Sequence, residues 1–413
     1  MKKVILFILS LALFACNQSE VKTNEKVFTS EDYVSMGYTR HIVVPEGYTA
    51  IAEYAFMGSA TIESVTLPEG IVSVGDWAFS MCENLQSVTL PSTLQSIGNS
   101  AFAACSSLKS IKIPSSVTAL GEGVFAFCES LSSENITLND NFVIEQGVLY
   151  DKAKTKVISS LPNEIPSSYT MPNSVKRLSD LAFSGCEKLT KVTLSSSLEY
   201  IGEFAFSSCF EINSLVLPSS VRTIAGGAFV NCWGLNSNNI KLNDNFVFYN
   251  GALLNKDKTE LIATFVYEID ETYYIPEGVK IIANNAFNGC EYLEKITIPN
   301  SVESIGNSAF ASCANLISVS LPSSLKSLGD YAFAMCSDME SVFLPGGLES
   351  IGKMAFLLCE NLVSVDFPAS VTTLGEDVFS ECENLRVINV KADSKLIAQL
   401  KDEYDVKVRI VQP

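Results

Sequence analysis

The chain has 413 residues but contains one histidine, His41. A Ser-His-acid or Cys-His catalytic set would therefore depend on a single imidazole near the start of the folded region. Gly-rich phosphate-binding motifs and a Gly-x-Ser-x-Gly nucleophile motif are also missing from the sequence. Acidic residues are abundant, but neither spacing nor surroundings single out a glycosidase-type pair. The sequence thus predicts a protein that is not an enzyme and that uses no cofactor and no metal.

Basic residues are scarce, with 28 Lys and Arg against 46 Asp and Glu, so the formal charge is −18. A surface this acidic repels phosphate backbones, which argues against nucleic acid as a partner. The sequence also lacks an apolar run long enough to cross a bilayer. Its longest candidate, Val4 to Ala15, has 12 residues, whereas a spanning helix needs about 20.

The N-terminus has the sequence features of an export signal. Lys2 and Lys3 precede the apolar run, which ends in Leu13-Phe14-Ala15-Cys16. This ending resembles a bacterial lipoprotein signal, in which Cys16 is lipidated and becomes the first mature residue. An ordinary secretory signal that happens to contain Cys16 is the alternative. We predict an exported chain that is lipid-anchored to the bacterial envelope, at the outer-membrane cell surface, and that meets the membrane through this anchor alone.

A motif of Ala or Val followed by Phe-x-x-Cys recurs through the rest of the chain. Its cysteines lie 23 residues apart within three groups: Cys82, Cys105 and Cys128; Cys186, Cys209 and Cys232; Cys290, Cys313, Cys336, Cys359 and Cys382. One earlier copy has Ser59 in place of the cysteine. The two gaps of 58 residues equal one period plus 35 residues. The sequence therefore contains 12 units and two insertions, and the insertions match each other at an offset of 104 residues.

Each unit contains one short strand and several turn signals. In a representative unit, Val88-Thr89-Leu90 alternates as a half-buried strand should, and Pro91 ends that strand. Gly98 predicts a tight turn with positive φ, and Ala101 to Cys105 predicts a short helical turn. A single unit cannot bury its apolar residues, whereas stacked units bury them in continuous ladders. The sequence predicts an α/β solenoid of about 12 stacked 23-residue units.

The 11 repeat cysteines form one column in such a stack. An odd number prevents complete internal pairing, and stacked equivalents point in the same direction rather than at each other. A column with one thiol per unit offers no tetrahedral metal cluster. The remaining role is that of a small buried residue beside phenylalanine. We predict free thiols that resist modification until the protein unfolds.

The unit Ala-Phe-x-x-Cys-x-x-Leu-x-x-Val-x-Leu-Pro-x-Ser-Leu-x-x-Ile-Gly, its period of 23 and the hairpin-like insertions carry a resemblance to known proteins. They resemble leucine-rich repeat proteins of the BspA-like, or Treponema pallidum, type over about residues 42–390. The resemblance implies a right-handed superhelix and a bacterial surface protein that adheres to host matrix proteins or to other cells. It does not imply a ligand, because the residues that identify the family are core residues.

The predicted organisation has four segments: a signal peptide over residues 1–15, the lipidated cysteine with a flexible tether over 16–40, the solenoid over 41–390, and a helix–strand cap over 391–413. The two insertions, at about 139–173 and 243–277, are expected to form β-hairpin modules that project from the solenoid. At their entrances, Asn139-Asp140-Asn141 and Asn243-Asp244-Asn245 predict Asx-type turns rather than calcium loops, since further ligands at the required spacing are missing. His41 is expected on the surface beside the first strand.

The exposed face of the predicted sheet carries mostly small hydroxyl residues, which suit a solvated pleated surface. Val216, Phe343 and Asp366 depart from that pattern and are candidate contact residues. Tyr267 and Tyr273 are further candidates, because the second insertion is rich in aromatics and aromatics are enriched at interfaces; packing onto the solenoid is the alternative. We expect a non-enzymatic cell-surface adhesion protein that contacts an extracellular protein or glycan. The alternative is an envelope scaffold that binds a bacterial partner.

Overall fold

The computed structural model describes residues 26–391, 394, 396–398, 400 and 407–411. The predicted signal peptide and Cys16 lie outside these residues. The chain divides into two compact units, one ending at Ile224 and one starting at Ala225. Within each unit, 23-residue coils stack through parallel strands, which confirms the predicted solenoid. Within the described ranges, no helix has the length and apolar character needed to cross a membrane.

Unit 1 begins with a strand and a helix and then follows the repeat. Its elements are β1 Val27–Phe28, α1 Ser30–Ser35, β2 His41–Val43, β3 Ala50–Ile51, β4 Ser64–Thr66, β5 Ser73–Val74, β6 Ser87–Thr89, β7 Ser96–Ile97, β8 Ile111–Lys112, β9 Ala119–Leu120, a 3-10 helix Ser133–Asn135, β10 Ile136–Thr137, β11 Phe142–Glu145, β12 Val148–Asp151, β13 Lys156–Ser160, β14 Ser168–Thr170, β15 Arg177–Leu178, β16 Lys191–Thr193, β17 Tyr200–Ile201, β18 Leu215–Val216 and β19 Thr223–Ile224.

Unit 2 has the same plan with a second insertion near its start. Its elements are β20 Ile240–Lys241, β21 Phe246–Tyr249, β22 Ala252–Asn255, β23 Glu260–Thr264, a 3-10 helix Val266–Glu268, β24 Thr272–Tyr274, β25 Ile281–Ile282, β26 Lys295–Thr297, β27 Ser304–Ile305, β28 Ser318–Ser320, β29 Ser327–Leu328, β30 Ser341–Phe343, β31 Ser350–Ile351, β32 Ser364–Phe367, β33 Thr373–Leu374, β34 Val387–Lys391 and β35 Lys407–Val411.

Each coil contributes one strand to a front sheet and one to a back sheet. The front strands are equivalents of β6 and the back strands are equivalents of β7, and both stack in parallel register on the next coil. A turn that begins at the proline connects the front strand to the back strand. The Phe-x-x-Cys segment forms the third side of the coil. Leu94, Ile97, Phe102 and Cys105 are all buried, so every side of the coil contributes to one continuous core.

The third side of the coil is a row of turns rather than the predicted helical turn. Ser100 and Ala104 have positive φ, and their N–H groups donate to Glu122 and Ala126 of the next coil at 2.8 and 2.7 Å. The backbone therefore bonds between coils, where a helix would bond within itself. Gly98 does not have the positive φ that the sequence suggested. A Cβ there would lie 2.5 Å from Asp76 N, so the glycine permits close stacking of coils.

The first coil is closed by residues that the sequence assigned to the flexible tether. β1 pairs in parallel with β3, and α1 begins with a capping box formed by Thr29 and Asp32. The ring of Tyr33 is buried, and its hydroxyl lies 2.6 Å from Ser59 Oγ. Residues 26–40 are thus part of the folded body. The cap also explains why the first full unit has Ser59 where later units have cysteine.

The insertions are joined to the back sheets rather than projecting as separate modules. β11 and β12 form an antiparallel hairpin, β12 pairs antiparallel with β13, and β13 pairs in parallel with β15. β21, β22, β23 and β25 repeat this arrangement in unit 2. Each insertion therefore adds a coil of its own, with a hairpin at its edge. The predicted Asx turns are confirmed, because Asn141 N and Asn245 N donate to Asn139 Oδ1 and Asn243 Oδ1 at 2.9 Å.

The last coil of unit 2 is covered by β35, which pairs in parallel with β34. Between these strands, Leu400 N donates to the Leu396 carbonyl at 2.9 Å, the spacing of a helical bond, and both side chains are buried. Much of the segment predicted as a helix–strand cap lies outside the described residues.

Candidate interaction surfaces

The cysteine column is a packing feature and not a reactive site. Cys82, Cys105 and Cys128 donate their S–H groups to the carbonyls of Phe56, Phe79 and Phe102 at 3.0–3.1 Å. Where an insertion coil replaces the Phe-Cys segment, a hydroxyl takes over as the partner: Ser160 Oγ lies 3.3 Å from Cys186 Sγ, and Thr264 Oγ1 lies 3.2 Å from Cys290 Sγ. Each thiol thus fills a small space and satisfies a buried acceptor.

Burial also lowers the reactivity of these thiols. It raises the pKa of Cys82, Cys128 and Cys290 to about 12, because a thiolate would have to form in an apolar interior. Cys382 differs because it is partly exposed at the end of the column in unit 2. A hydrogen bond from Cys359 lowers the pKa of the Cys382 thiol. All 11 described cysteines are free, as predicted.

The phenylalanines beside the thiols stack from coil to coil. In unit 1 the rings of Phe56, Phe79 and Phe102 lie 4.9 and 5.2 Å apart, centroid to centroid, and are nearly parallel. In unit 2 the ring of Phe310 lies 4.9 Å from Phe287 and 5.0 Å from Phe333. These spacings match the distance between neighbouring strands, about 4.8 Å. The residues that define the repeat are therefore buried in the core.

The front strands leave one face exposed, and the widest front sheet among the described residues lies in unit 2. Seven parallel strands stack in the order β24, β26, β28, β30, β32, β34 and β35. In each of the three-residue strands the middle residue is buried and the flanking residues are exposed, as Ser341 and Phe343 are on either side of Val342. Phe343 pairs in register with Asp366, whose Oδ1 accepts from Asn389 Nδ2 at 2.6 Å. Val216, on β18 of unit 1, is also exposed.

The two tyrosines chosen from the second insertion have opposite environments. The ring of Tyr267 is exposed, as a contact residue requires. Tyr273 is buried, and its hydroxyl donates to the Tyr249 carbonyl at 3.0 Å, so its choice as a contact residue is corrected. The strand register explains this, because Tyr273 pairs with the inward residue Ile296. The neighbouring Tyr274 carries the exposed ring instead.

Sequence reasoning missed three further exposed aromatic residues of unit 2: Trp233, Tyr274 and Tyr292. A signal was available for Tyr292, because the other units have small or polar residues at the second position after the cysteine, whereas Trp233 and Tyr274 share their repeat positions with Phe210 and Phe343. His41 is exposed, with Nδ1 2.9 Å from Ser64 Oγ. In the described part of the chain, no three carboxylate, thiol or imidazole side chains are grouped closely enough to hold a metal ion.

Comparisons with known proteins agree with this architecture. A family model for the BspA type leucine-rich repeat region matches in six copies, over residues 16–156, 163–265 and 263–386. A leucine-rich cell-surface protein from Faecalibacterium prausnitzii is 28% identical, with 88% of this chain and 90% of that chain covered and a TM-score of 0.52. A leucine-rich repeat protein from Bacteroides ovatus is 25% identical, with 90% and 83% covered and a TM-score of 0.33. The comparison with curated proteins gave no match.

Proposed function

Because the chain belongs to the BspA-type leucine-rich repeat family, we propose that it is an exported surface protein that binds a protein or glycan and catalyses no reaction. The observation that carries this proposal is the separation of core from surface. The repeat-defining residues are buried, and the repeat thiols, such as those of Cys82 and Cys105, donate hydrogen bonds to backbone carbonyls. What remains for function is the exposed front face and the coil edges, which suit contact with a partner.

Display at the cell surface is the second part of the proposal. The similar protein from Faecalibacterium prausnitzii is described as a leucine-rich cell-surface protein. The sequence Leu13-Phe14-Ala15-Cys16 supplies a lipidation signal. Two or more acyl chains on one residue anchor a protein stably, whereas one chain does not. We propose that Cys16 carries this anchor.

The front face of unit 2 is the proposed contact surface. Phe343 offers an exposed ring beside the carboxylate of Asp366, within a wall of small hydroxyl residues. Such a wall is flat, so a partner is contacted at many weak points over a wide area rather than in one deep pocket. Host matrix proteins and mucosal glycans are the proposed ligands.

A binding array tests the function. The full-length lipidated chain, extracted in detergent, is applied to an array of host matrix proteins, mucins and glycans. Binding that Phe343→Ala weakens and Ser320→Ala leaves unchanged would support the proposed face, because these two positions pair in register on adjacent strands. No ligand on the array, together with a stoichiometric bacterial partner recovered from native membranes, would instead favour the envelope scaffold.

Anchoring and exposure are tested separately. Cys16→Ser should move the chain from the detergent phase to the aqueous phase, whereas Cys382→Ser should not. Protease added to intact cells should remove the wild-type chain. A chain that survives this treatment, but is digested after the outer membrane is opened, would place the protein in the periplasm and refute surface display.

A further inference from the structure

Three exposed aromatic residues occupy the same corner on three consecutive coils of unit 2. Trp233 and Tyr292 follow the core cysteines Cys232 and Cys290, and Tyr267 lies on the insertion coil between them. Tyr267 and Tyr292 are 64% and 57% exposed as whole residues, and Trp233 is 39% exposed. We refer to Trp233, Tyr267 and Tyr292, with the acidic residues beside them, as the aromatic corner.

Hydrogen bonds on both sides fix the stacking of these coils. Thr264 Oγ1 lies 3.2 Å from Cys290 Sγ, and Lys295 N donates to the Glu271 carbonyl at 2.9 Å. The segment that contains Tyr267 therefore runs alongside the segment that contains Tyr292. On the opposite side, the Glu268 carboxylate accepts from Ser237 N and Oγ at 2.8 and 2.7 Å. This bond holds the Tyr267 turn against the turn that follows Trp233.

The corner is also acidic. Asp270, Glu271 and Glu291 are exposed, and Glu294 is partly exposed. The backbones of two of them are stacked, since Glu294 N donates to the Glu271 carbonyl at 2.8 Å. Exposed or partly exposed carboxylates thus follow Tyr267 closely in the chain and flank Tyr292 on both sides. Such a surface repels sulfated or phosphorylated ligands and attracts cationic ones.

The duplicated block of unit 1 provides an internal comparison. At the offset of 104 residues, Trp233, Tyr267 and Tyr292 correspond to Glu129, Asn163 and Lys188, while Asp270, Glu271 and Glu294 correspond to Pro166, Ser167 and Thr190. The supporting contact is kept, because Ser133 N donates to Glu164 just as Ser237 N donates to Glu268. Asn163 Nδ2 donates to the Glu129 carbonyl at 2.8 Å, so these two corner positions are adjacent in unit 1.

The same backbone therefore forms with polar residues at the corner, and folding does not require the aromatic set. The rings and the added carboxylates occur together, in one block, at exposed or partly exposed positions. We propose that the aromatic corner binds an arginine- and lysine-rich segment of a partner protein. This inference rests on the proposed binding function and names the chemistry of one partner.

Cations recognise such a surface in two ways. A guanidinium group stacks on the face of a tyrosine or tryptophan ring, and nearby carboxylates pair with its charge. The chain already uses the first contact internally: Arg177 lies 3.8 Å from the centroid of the Tyr200 ring, and Lys26 lies 4.1 Å from that of Tyr48. At the corner Tyr267 and Tyr292 are exposed to solvent, so a cation from a partner can reach their rings.

The test uses full-length chain in detergent and a fluorescent peptide of alternating arginine and serine. The loss variant is Tyr267→Asn with Tyr292→Lys, which installs the unit 1 residues. We expect its affinity for the peptide to fall by about tenfold, the order expected for loss of cation–π contacts with added repulsion. The matched variant, Asn163→Tyr with Lys188→Tyr, should not weaken binding. Circular dichroism should show all variants folded, because the altered positions are not in the core.

Each outcome either supports or overturns the proposal. Weaker binding of the lysine analogue, and loss of binding to a glutamine analogue, would support ring stacking by arginine. Unchanged affinity in the loss variant would overturn the proposal, and so would binding of a neutral oligosaccharide or of a second copy of the chain that the same variant abolishes. If the peptide fails to bind while an array ligand still binds the front face, the corner proposal fails and the broader binding function stands.

Discussion

Raising the pH should unfold both units steeply above about pH 9, because their buried thiols hold protons more tightly in the folded chain than in the unfolded one. Burial raises the pKa of seven thiols above the ordinary value of 9.0: Cys82, Cys105 and Cys128 in unit 1, and Cys290, Cys313, Cys336 and Cys359 in unit 2. For Cys82 and Cys290 the raised value is about 12.

The sign follows from linkage. Since the folded pKa lies above the unfolded one, each thiol's contribution is complete below about pH 9 and is lost as the pH rises toward the folded value. The loss is about 1.4 kcal/mol per thiol and per pH unit. Four such thiols remove about 5 kcal/mol per pH unit from unit 2, against a typical domain stability of about 5–15 kcal/mol. Unit 2 should therefore unfold within roughly one to three pH units above pH 9.

Urea unfolding followed by circular dichroism at a series of pH values between about 8 and 10 measures this slope. The double variant Cys313→Ala with Cys336→Ala should be less stable at neutral pH, because buried volume is lost. Its slope with pH should be shallower, by roughly half for unit 2. A stability that stays flat through pH 10, or a slope unaltered in the double variant, would refute the reasoning. Double alanine variants at exposed Ser318 and Ser341 serve as the control.

Three other measurements probe separate parts of the structure. Cys382 should be labelled by maleimide first among the described cysteines of the native chain. The reason is that it is partly exposed and that a hydrogen bond from Cys359 lowers the pKa of its thiol. Peptide mapping that finds another of these thiols labelled first would contradict this prediction. Phe310→Ala should cost about 3–5 kcal/mol of unfolding free energy, whereas Phe343→Ala should change it by less than about 0.5 kcal/mol, because only Phe310 is buried between stacked rings. Burial alone would raise the pKa of Glu122, but hydrogen bonds from Lys156 Nζ at 2.8 Å and Asp180 N at 2.9 Å outweigh it and lower that pKa. Glu122→Gln should therefore cost about 1–3 kcal/mol of unfolding free energy at neutral pH. That cost should become progressively smaller as the pH falls below about 4.5.

The sequence predicted the coil well because each structural position is sampled about a dozen times. A strand at Val88, a stop at Pro91 and a packing thiol at Cys105 recur at fixed spacing, so chance substitutions average out. The same recurrence indicates that the cysteine is a core residue, although it does not reveal the carbonyl to which the thiol donates. That partner, the Phe79 carbonyl, comes from the preceding coil, and sequence spacing alone does not reveal which backbone groups meet between coils.

Features that occur once were predicted less well. The segment before His41 is polar, which favours a tether, but Phe28 on β1 and Tyr33 on α1 are enough to cover the first coil. Aromatic content alone favours Tyr273 as a surface residue, because it takes no account of strand register. A shift of one residue reverses the face of a strand, and alignment with Ile296 would have shown that Tyr274 is the outward residue.

Function in this architecture is most visible where equivalent positions differ. Core positions such as those of Ile165 and Ile269 agree between the duplicated blocks, because every coil must satisfy the same stacking geometry. A solvated corner has no such constraint, and one tyrosine replacing one asparagine there would carry little meaning. Aromatic rings and carboxylates that change together at one corner, with the supporting Glu268 bond retained, are harder to explain by drift, since exposed rings add nothing to the core. The aromatic corner is therefore the surface at which we expect partner binding.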